Sequence, residues 1–258
     1  MSDILSQPAV YEGQFHRVEV HADRVVCHPR TQAAAARLPR RAALLRAVAA
    51  LDLGVRTPEP IAELADPPRL VLSRVPGEPL PPEALTSPAV LASAAEQLAA
   101  LLARLAAAPA AGLPRQPATH WREFADAVTA ELYPSMSPAG RARADAELAA
   151  LRALPALDTA VVHGDLGAEN LLWEWHAGLP VLAGVIDWDE VALGDQAEDL
   201  AALSASYGPE LLTALRPSPA VAARVATIHG SFALQQALAA QRDGDADELA
   251  DGLAGYRA

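Results

Sequence analysis

The sequence contains no lysine, a single cysteine and few aromatic residues. All 20 basic residues are arginine, Cys27 is the only thiol, and aromatic residues make up 4% of the 258 positions. One cysteine excludes a disulfide framework within the chain, which favours a reducing, cytoplasmic setting. The missing lysine removes a side chain that many phosphate-binding sites use, so a phosphate site in this chain needs another cationic group.

Long uncharged apolar runs are also missing. The longest apolar region, residues 91–111, carries Glu96 and Arg104, and no run of about 18 apolar residues lacks a charge. The N-terminus lacks a basic region followed by an apolar segment, which is the mark of a signal peptide. The sequence therefore predicts neither a membrane span nor a cleaved leader.

Acidic residues outnumber basic residues, 32 to 20. The formal net charge is −12, and 52% of the residues are hydrophobic, enough for a sizeable core in one large domain or two lobes. A negative field repels nucleic acid and attracts cations, so nucleic acid is not expected as a partner. Solubility alone would explain the charge, and a cationic small-molecule substrate is the more specific interpretation. A monomer and a homodimer both remain open.

The first part of the chain mixes short strands with one helix. "FHRVEVHADRVVCH" predicts two strands with a turn near Ala22 and Asp23. "RRAALLRAVAALDLG" predicts a helix with Pro39 near its start and Gly54 after its end. "RLVLSRV" is typical of a buried strand, and the turn-rich "PGEPLPPEALTSP" suggests a hinge.

The remainder of the chain has mainly helical patterns. One helix is predicted to start at Ser87 and Pro88, a second near Thr119, and a third over "PAGRARADAELAALRAL". The acidic stretch "RDGDADELADGL" is expected to be a solvated loop rather than a calcium site. This order predicts a small mixed lobe, a hinge and a larger helical lobe, with a cleft suited to a ligand between them.

Two polar segments interrupt apolar runs in the second part. Asp165 and Asn170 lie in "VVHGDLGAENLLW", and Asp187 lies in "GVIDWDE". Each residue alone could simply serve a turn. Together, after two apolar strands, they offer a base and two oxygen ligands for magnesium, which are the groups that phosphoryl transfer requires. The two segments therefore predict a metal-dependent phosphoryl-transfer site.

These segments carry a resemblance to a known family. "HGDLGAEN" followed by "IDWDEVALGDQAEDLA" resembles the signature pair of the aminoglycoside phosphotransferases, which are related in fold to choline kinases and protein kinases. The resemblance covers most of the chain and implies an α+β, bilobal protein kinase-like fold. It implies a small N-terminal nucleotide-binding lobe with an antiparallel sheet at residues 1–75. A larger, mainly helical lobe for catalysis and substrate binding would follow at residues 76–258.

The same resemblance implies roles for individual residues. Asp165 resembles the catalytic base, and Asn170 and Asp187 resemble the magnesium ligands. Structural support of the catalytic loop is implied for His163, Asp195 and Asp199. Weaker substrate-side roles fall on Asp189 and Glu190. Backbone groups from Ser73 to Val75 would meet the nucleotide base.

The phosphate-binding part departs from the family pattern. A lysine on a small-lobe strand, paired with a helix glutamate, usually holds the phosphates. Here the strand position falls near Cys27 or His28, and Arg41 stands about where the glutamate is often found. Arg30 or another nearby arginine could reach the phosphates, a protonated His28 could help, or nucleotide binding could be weak. The first account is favoured, and Gly13 in "YEGQF" is the candidate glycine of the covering loop.

The predicted function is therefore that of a magnesium-dependent kinase for small molecules. ATP or GTP would supply the γ-phosphate, and the acceptor would be a hydroxyl of an antibiotic or an amino-sugar-like compound. A choline- or sugar-type metabolic kinase of the same fold is one alternative. A pseudokinase-like nucleotide-binding protein is another, motivated by the missing lysine.

Overall fold

The N-terminal part of the computed structural model, which describes residues 8–13 and 16–257, is built on an antiparallel sheet. Its strands are β1 (Ala9–Glu12), β2 (His16–Val20), β3 (Arg24–Pro29), β4 (Pro60–Ala65) and β5 (Pro68–Ser73). They lie in the order β1-β2-β3-β5-β4. The predicted strand pair is confirmed as β2 and β3, which are joined by a short turn over residues 21–23 and set Val18 opposite Cys27.

The helix that covers this sheet, α1 (Gln32–Ala49), begins earlier than predicted. Thr31 caps it, because its hydroxyl accepts a hydrogen bond from the Ala34 amide at 3.1 Å. Pro39 therefore lies inside the helix and not near its start. The alanine-rich first half has high helix propensity but no apolar stripe, so a periodicity argument does not detect it. Leu45 and Val48 are buried on the inner side of α1.

Short strands frame the two polar segments in the second part of the chain. They are β6 (Glu78–Pro79), β7 (Ala160–Val162), β8 (Leu171–His176), β9 (Leu179–Val185) and β10 (Ala192–Gly194). β8 pairs with β6 and β9, and β7 pairs with β10. The first polar segment connects β7 to β8, and the second connects β9 to β10. The pairing of these strands therefore brings distant parts of the sequence to one place.

Helices form most of the remainder, as the sequence predicts. They are α2 (Pro88–Ala107), α3 (His120–Glu131), α4 (Pro138–Arg152), α5 (Ala197–Tyr207), α6 (Pro209–Leu215), α7 (Pro219–Gly230), α8 (Phe232–Asp243) and α9 (Ala246–Gly252). The predicted starts at Ser87 and near Thr119 are confirmed. The prediction of an acidic loop near the C-terminus is wrong over α9, because Asp245 caps a helix there by accepting hydrogen bonds from the amides of Asp247 and Glu248.

One helix of the described residues, α2, is long and apolar enough to suit a membrane span by length and composition. A core helix has the same two properties, and α2 takes that position in the fold. Leu98, Leu101 and Leu105 are at most 1% exposed, and the helix packs against β7, β9 and α6. The hydrophobic core thus runs through α2 from the strands that carry the polar segments to the helices behind them.

A close backbone approach fixes α4 against the end of the chain. A Cβ atom added at Gly140 would lie 1.8 Å from the Tyr256 carbonyl oxygen, whereas one added at Gly230 would meet nothing within 4 Å.

We expect Gly140→Ala to lower the free energy of unfolding by about 1–3 kcal/mol or more, because the backbone must move. Gly230→Ala is the matched control and should change it by about 1 kcal/mol at most. Urea denaturation of both variants measures the difference, and equal stabilities would contradict this packing.

Candidate active site

The loop after β7 has a conformation that exposes Asp165. Gly164 adopts a φ of +88°, and a Cβ atom there would lie 2.8 Å from the carbonyl oxygen of Glu190. Glycine is the residue that tolerates both conditions. The Asp165 side chain that follows is exposed, and a 3-10 turn over Ala168–Asn170 leads into β8. The loop therefore presents the Asp165 carboxylate to solvent, at the edge of a cavity lined by the second part of the chain.

The base of this loop is held by Asp199 from α5. Its carboxylate is fully buried and accepts two backbone hydrogen bonds, from the amides of His163 and Gly164, each at 3.0 Å. Burial raises the pKa of Asp199 to about 6, and the two N–H donors oppose that rise. The sequence implied that Asp199 supports the catalytic loop through hydrogen bonds, and two such bonds reach the loop in this structure.

His163 connects the two polar segments. Its Nδ1 accepts a hydrogen bond from the Asp165 amide at 3.2 Å, so Nε2 carries the proton and donates to the Ile186 carbonyl at 2.9 Å. Burial lowers the pKa of His163 to about 4, which keeps the ring neutral near pH 7. The indole of Trp188 packs against it with ring centroids 4.6 Å apart. This histidine is placed to brace the loop.

Asn170 is buried and held by its amide nitrogen. Nδ2 donates to the carbonyl oxygen of Asp165 at 2.8 Å and lies 3.2 Å from the Asp165 carboxylate. The Asn170 carbonyl accepts a hydrogen bond from the Ile186 amide at 2.9 Å, which ties the loop to the segment that carries Asp187. Because the amide nitrogen is engaged, the amide oxygen is the group left to bind a metal.

Asp187 lies in a strained backbone conformation among other acids. Its φ is +61°, in the left-handed region that few non-glycine residues adopt, and its side chain is 54% exposed. Partial withdrawal from solvent raises the pKa of Asp187, and the charges of Asp189, Asp165 and Glu190 raise it further, while Arg41 opposes them. Such a concentration of carboxylates favours a bound cation.

The donors present fit magnesium bound in company with phosphates. Among residues 8–13 and 16–257, no group of three or more His, Cys, Asp or Glu side chains is arranged to hold a metal by itself. Asp187 and Asn170 offer one carboxylate and one amide oxygen, and magnesium commonly takes one or two carboxylates together with phosphates and water. A metal here would therefore be shared between the protein and its nucleotide.

The predicted nucleotide-side residues of the first strands have local partners. Arg30 donates to the carbonyl of Gly13 at 2.9 Å, and Nε2 of His28 lies 3.4 Å from the carboxylate of Glu19. Gln14 and Phe15 of the predicted covering loop lie outside the described residues. A contact of Gly13, His28 or Arg30 with phosphates stays a prediction.

The hinge backbone is partly engaged within the protein. The Ser73 amide donates to the Glu59 carbonyl at 2.8 Å, and the Arg74 amide donates to the Asp23 carbonyl at 3.3 Å. Val75 is buried at 7% exposure. A hydrogen bond from Ser73 or Val75 to a nucleotide base also stays a prediction.

Asp195 differs from its expected role. The sequence implied that Asp195 supports the catalytic loop by hydrogen bonding, as Asp199 does. Instead, its two oxygens accept from Nε and Nη2 of Arg224 at 2.5 and 3.0 Å, and one oxygen also accepts from the amide of Ala197, the first residue of α5, at 3.0 Å. Asp195 therefore joins α5 to α7, because a bidentate arginine on α7 occupies its carboxylate.

The two weaker candidates, Asp189 and Glu190, separate to opposite sides. Asp189 accepts a hydrogen bond from Nε of Arg41 at 2.7 Å, which places it against α1 of the N-terminal lobe. Glu190 is on the side of Asp165, where a cavity of about 620 Å³ opens toward α3, α5, α7 and α8. The cavity is large enough to hold a small molecule next to Asp165.

Sequence reasoning did not identify most of this cavity. Its lining includes Glu169 and Glu198 with the aromatic side chains of Trp121 and Phe232. These residues come from four separated stretches with no shared spacing, so only the fold brings them together. The one available signal was the acidic charge of the segments around Asp165 and Asp199.

Comparison with solved structures defines the class of fold. The chain matches the GDP and kanamycin complex of APH(2")-IIia with a TM-score of 0.82 and 20% sequence identity, over 97% of this chain and 92% of that one. It matches ADP-bound aminoglycoside phosphotransferase APH(2'')-Ib with a TM-score of 0.73 and 14% identity, over 98% and 92% of the two chains. The predicted α+β, protein kinase-like fold is thus confirmed.

Sequence comparison identifies the family. The model of the phosphotransferase enzyme family (APH) matches residues 9–250, so the chain belongs to that family. It is also 56% identical to viomycin phosphotransferase of Streptomyces vinaceus over 270 aligned residues, covering 99% of this chain and 94% of the relative. The protein is therefore a phosphotransferase, and the expectation of an enzyme is confirmed.

The support that Asp199 gives to the loop can be tested by truncation. Asp199→Ala leaves two buried amides without acceptors, so we expect a loss of about 2–5 kcal/mol in the free energy of unfolding. Asp199→Asn keeps one acceptor oxygen and should lose less. Urea denaturation measures both losses, and hydrogen exchange at His163 and Gly164 should accelerate. Asp251→Asn, at an exposed site on α9, is the control; wild-type stability and exchange in Asp199→Ala would refute this role.

Proposed function

We propose that the protein transfers the γ-phosphoryl group of ATP or GTP, with magnesium, to a hydroxyl of a cationic small-molecule antibiotic. The observation that carries the proposal is the exposed Asp165, which lies between Asn170 and Asp187 on one side and an acidic cavity on the other. The nucleotide would lie between residues 1–75 and residues 76–258. Viomycin, in the name of the relative that is 56% identical, is the first acceptor to test.

The chemistry assigns one task to each polar group. Asp165 orients the acceptor hydroxyl and accepts its proton as the oxygen attacks the γ-phosphorus, while the bond from that phosphorus to the β–γ bridging oxygen breaks and ADP or GDP leaves. Asn170 and Asp187 would hold magnesium, which neutralises charge on the transferring phosphates when it is bound. His163 and Asp199 keep the loop in place, because their hydrogen bonds fix its first three residues.

The cavity supports a cationic acceptor. Its lining carries the four carboxylates of Asp165, Glu169, Glu190 and Glu198 and, within the described residues, no arginine. The one histidine there, His120, has its pKa lowered by burial, so its ring stays neutral near pH 7. A negative cavity in a chain of net charge −12 raises the local concentration of a cation.

The names of the similar proteins support a small-molecule acceptor. Viomycin and kanamycin appear in the names of the relatives described above, and both are small molecules. Of the two structures described above, one holds GDP and the other ADP, so we retain both ATP and GTP as candidate phosphate donors. A choline- or sugar-type acceptor is the competing outcome, and a panel of acceptors separates it from the antibiotic.

The role of Asp165 as base gives the first test. We expect Asp165→Asn to lower kcat by about 100- to 10,000-fold, because general base catalysis contributes about that factor. Phosphorylated product from viomycin and from choline, sugar and aminoglycoside controls is measured by mass spectrometry. Asp23→Asn, in an exposed turn of the first lobe, is the control and should retain activity. Equal turnover by wild type and Asp165→Asn on each accepted substrate would show that Asp165 is not the base.

Glu198 gives a pH test of the cationic acceptor. Burial raises its pKa to about 7, with Asp199 and Asp195 adding to the rise, and Oε1 is buried without a hydrogen-bond partner. The carboxyl is neutral below this pKa and charged above it, so kcat/KM for a cationic acceptor should rise as pH increases through about 7.

Glu198→Gln should remove this rise and increase KM for the acceptor, because it keeps the shape and loses the charge. The measurement is kcat/KM between about pH 5.5 and 8.5 for wild type, Glu198→Gln and the exposed control Glu174→Gln. A Glu198→Gln profile that overlays the wild-type profile, with the same KM, would refute a cation-binding role.

A further inference from the structure

Arg41 of α1 extends to the segment that carries Asp187. Its Nε donates to the Asp189 carboxylate at 2.7 Å, and Nη2 lies 3.7 Å from the Asp187 carboxylate. The Arg41 side chain is only 17% exposed. Burial raises the pKa of the Cys27 thiol on β3, and the nearby charge of Arg41 opposes that rise. A helix of the first lobe thus delivers a positive charge beside the proposed magnesium ligand.

Most N–H donors of the Arg41 guanidinium make no hydrogen bond among the described contacts. It carries five N–H groups, and among the described contacts one of them makes a hydrogen bond of normal length, to Asp189. The 3.7 Å separation from Asp187 is an ion-pair distance and too long for a hydrogen bond. Arg41 can therefore be held in place by Asp189 while its other donors bind a ligand on the Asp187 side.

The nature of that ligand follows from the charges around it. A nucleotide held through magnesium by Asp187 would place its phosphates near this carboxylate, and the Arg41 guanidinium lies 3.7 Å from the same carboxylate. Arginine binds phosphate through two parallel hydrogen bonds. Arg30, by contrast, is exposed and donates to the Gly13 carbonyl, and His28 lies beside Glu19.

We propose that Arg41 binds the nucleotide phosphates, and that it supplies from α1 the positive charge that a strand lysine supplies in the usual kinase arrangement. Cys27, at the strand position, is small enough to leave the guanidinium its place, and Asp189 replaces the helix glutamate as the carboxylate partner. This inference rests on the proposed function, because it assigns a residue to the phosphates of the proposed nucleotide.

A purely structural clamp between α1 and the Asp187 segment is the competing explanation. The two differ in which ligands lose affinity when Arg41 is changed. A phosphate-binding residue affects triphosphates strongly and nucleosides little, whereas a clamp that shapes the cleft affects both alike. Binding is measured by calorimetry and thermal shift with Mg·ATP, Mg·GTP, adenosine and guanosine on the full chain.

Arg41→Met should weaken binding of the accepted triphosphate by about 10- to 100-fold and leave nucleoside binding within about threefold of wild type. Arg40→Met is the matched control, since it removes the same charge from an exposed neighbouring position of α1, and it should bind like wild type. Arg41→Lys keeps the charge and should lose less than Arg41→Met, which separates loss of charge from loss of folding.

A charge exchange provides the second arm. Arg41→Glu alone should abolish measurable triphosphate binding, and adding Cys27→Lys to it rebuilds a strand lysine with a helix glutamate. The double variant should regain at least about tenfold in affinity over Arg41→Glu. Rescue would support a requirement for positive charge at the phosphates, since a structural clamp from α1 would not be restored.

The outcomes separate the two proposals. Equal triphosphate affinity in wild type and Arg41→Met, or equal losses for triphosphate and nucleoside, would overturn the role of Arg41 while leaving the proposed function intact. A wild-type protein that binds neither Mg·ATP nor Mg·GTP would overturn the proposed function and this role together.

Discussion

Ile186 holds the two acidic segments together through both of its backbone groups. Its amide donates to the Asn170 carbonyl, and its carbonyl accepts the Nε2 proton of His163, both at 2.9 Å. These bonds fix Asp187, the next residue, relative to the loop that carries Asp165. His163 and Asn170 are buried, so breaking either bond would leave one of their polar groups without a partner. The position of the three oxygen-bearing side chains depends on this connection.

The arrangement concentrates negative charge that the protein neutralises only in part. Burial raises the pKa of Asp187 and the charges of Asp189, Asp165 and Glu190 raise it further, and among the described ion pairs Arg41 is the cation that reaches this group. The remaining negative charge attracts cations to two places. Magnesium with its nucleotide would neutralise it at Asp187, and a cationic acceptor would neutralise it in the cavity beyond Asp165.

The sequence predicted the parts of the site that local pattern encodes. Asp165 and Asp187 closely follow apolar strands and Asn170 directly precedes one, so their placement at strand ends could be read from neighbouring residues. The start of α1 could not, because alanines carry no apolar stripe and Pro39 suggested a boundary. Asp195 was misassigned since its partner, Arg224, lies on another helix. The cavity was missed for the same reason, because long-range packing has no signature in spacing.

The missing lysine and the arginine on α1 are best understood as one coupled feature. Cys27 is 2% exposed on β3, so a long cationic side chain there would need the space that the Arg41 guanidinium now occupies. A guanidinium is planar, bidentate and longer in reach than an ammonium group, so it can enter the same space from a neighbouring helix. A cation entering from α1 then needs a carboxylate on the opposite side, and Asp189, two residues after Asp187, is placed to provide it. A positive charge at the phosphates would thus be kept, but it would come from Arg41 on α1 and not from a lysine on β3.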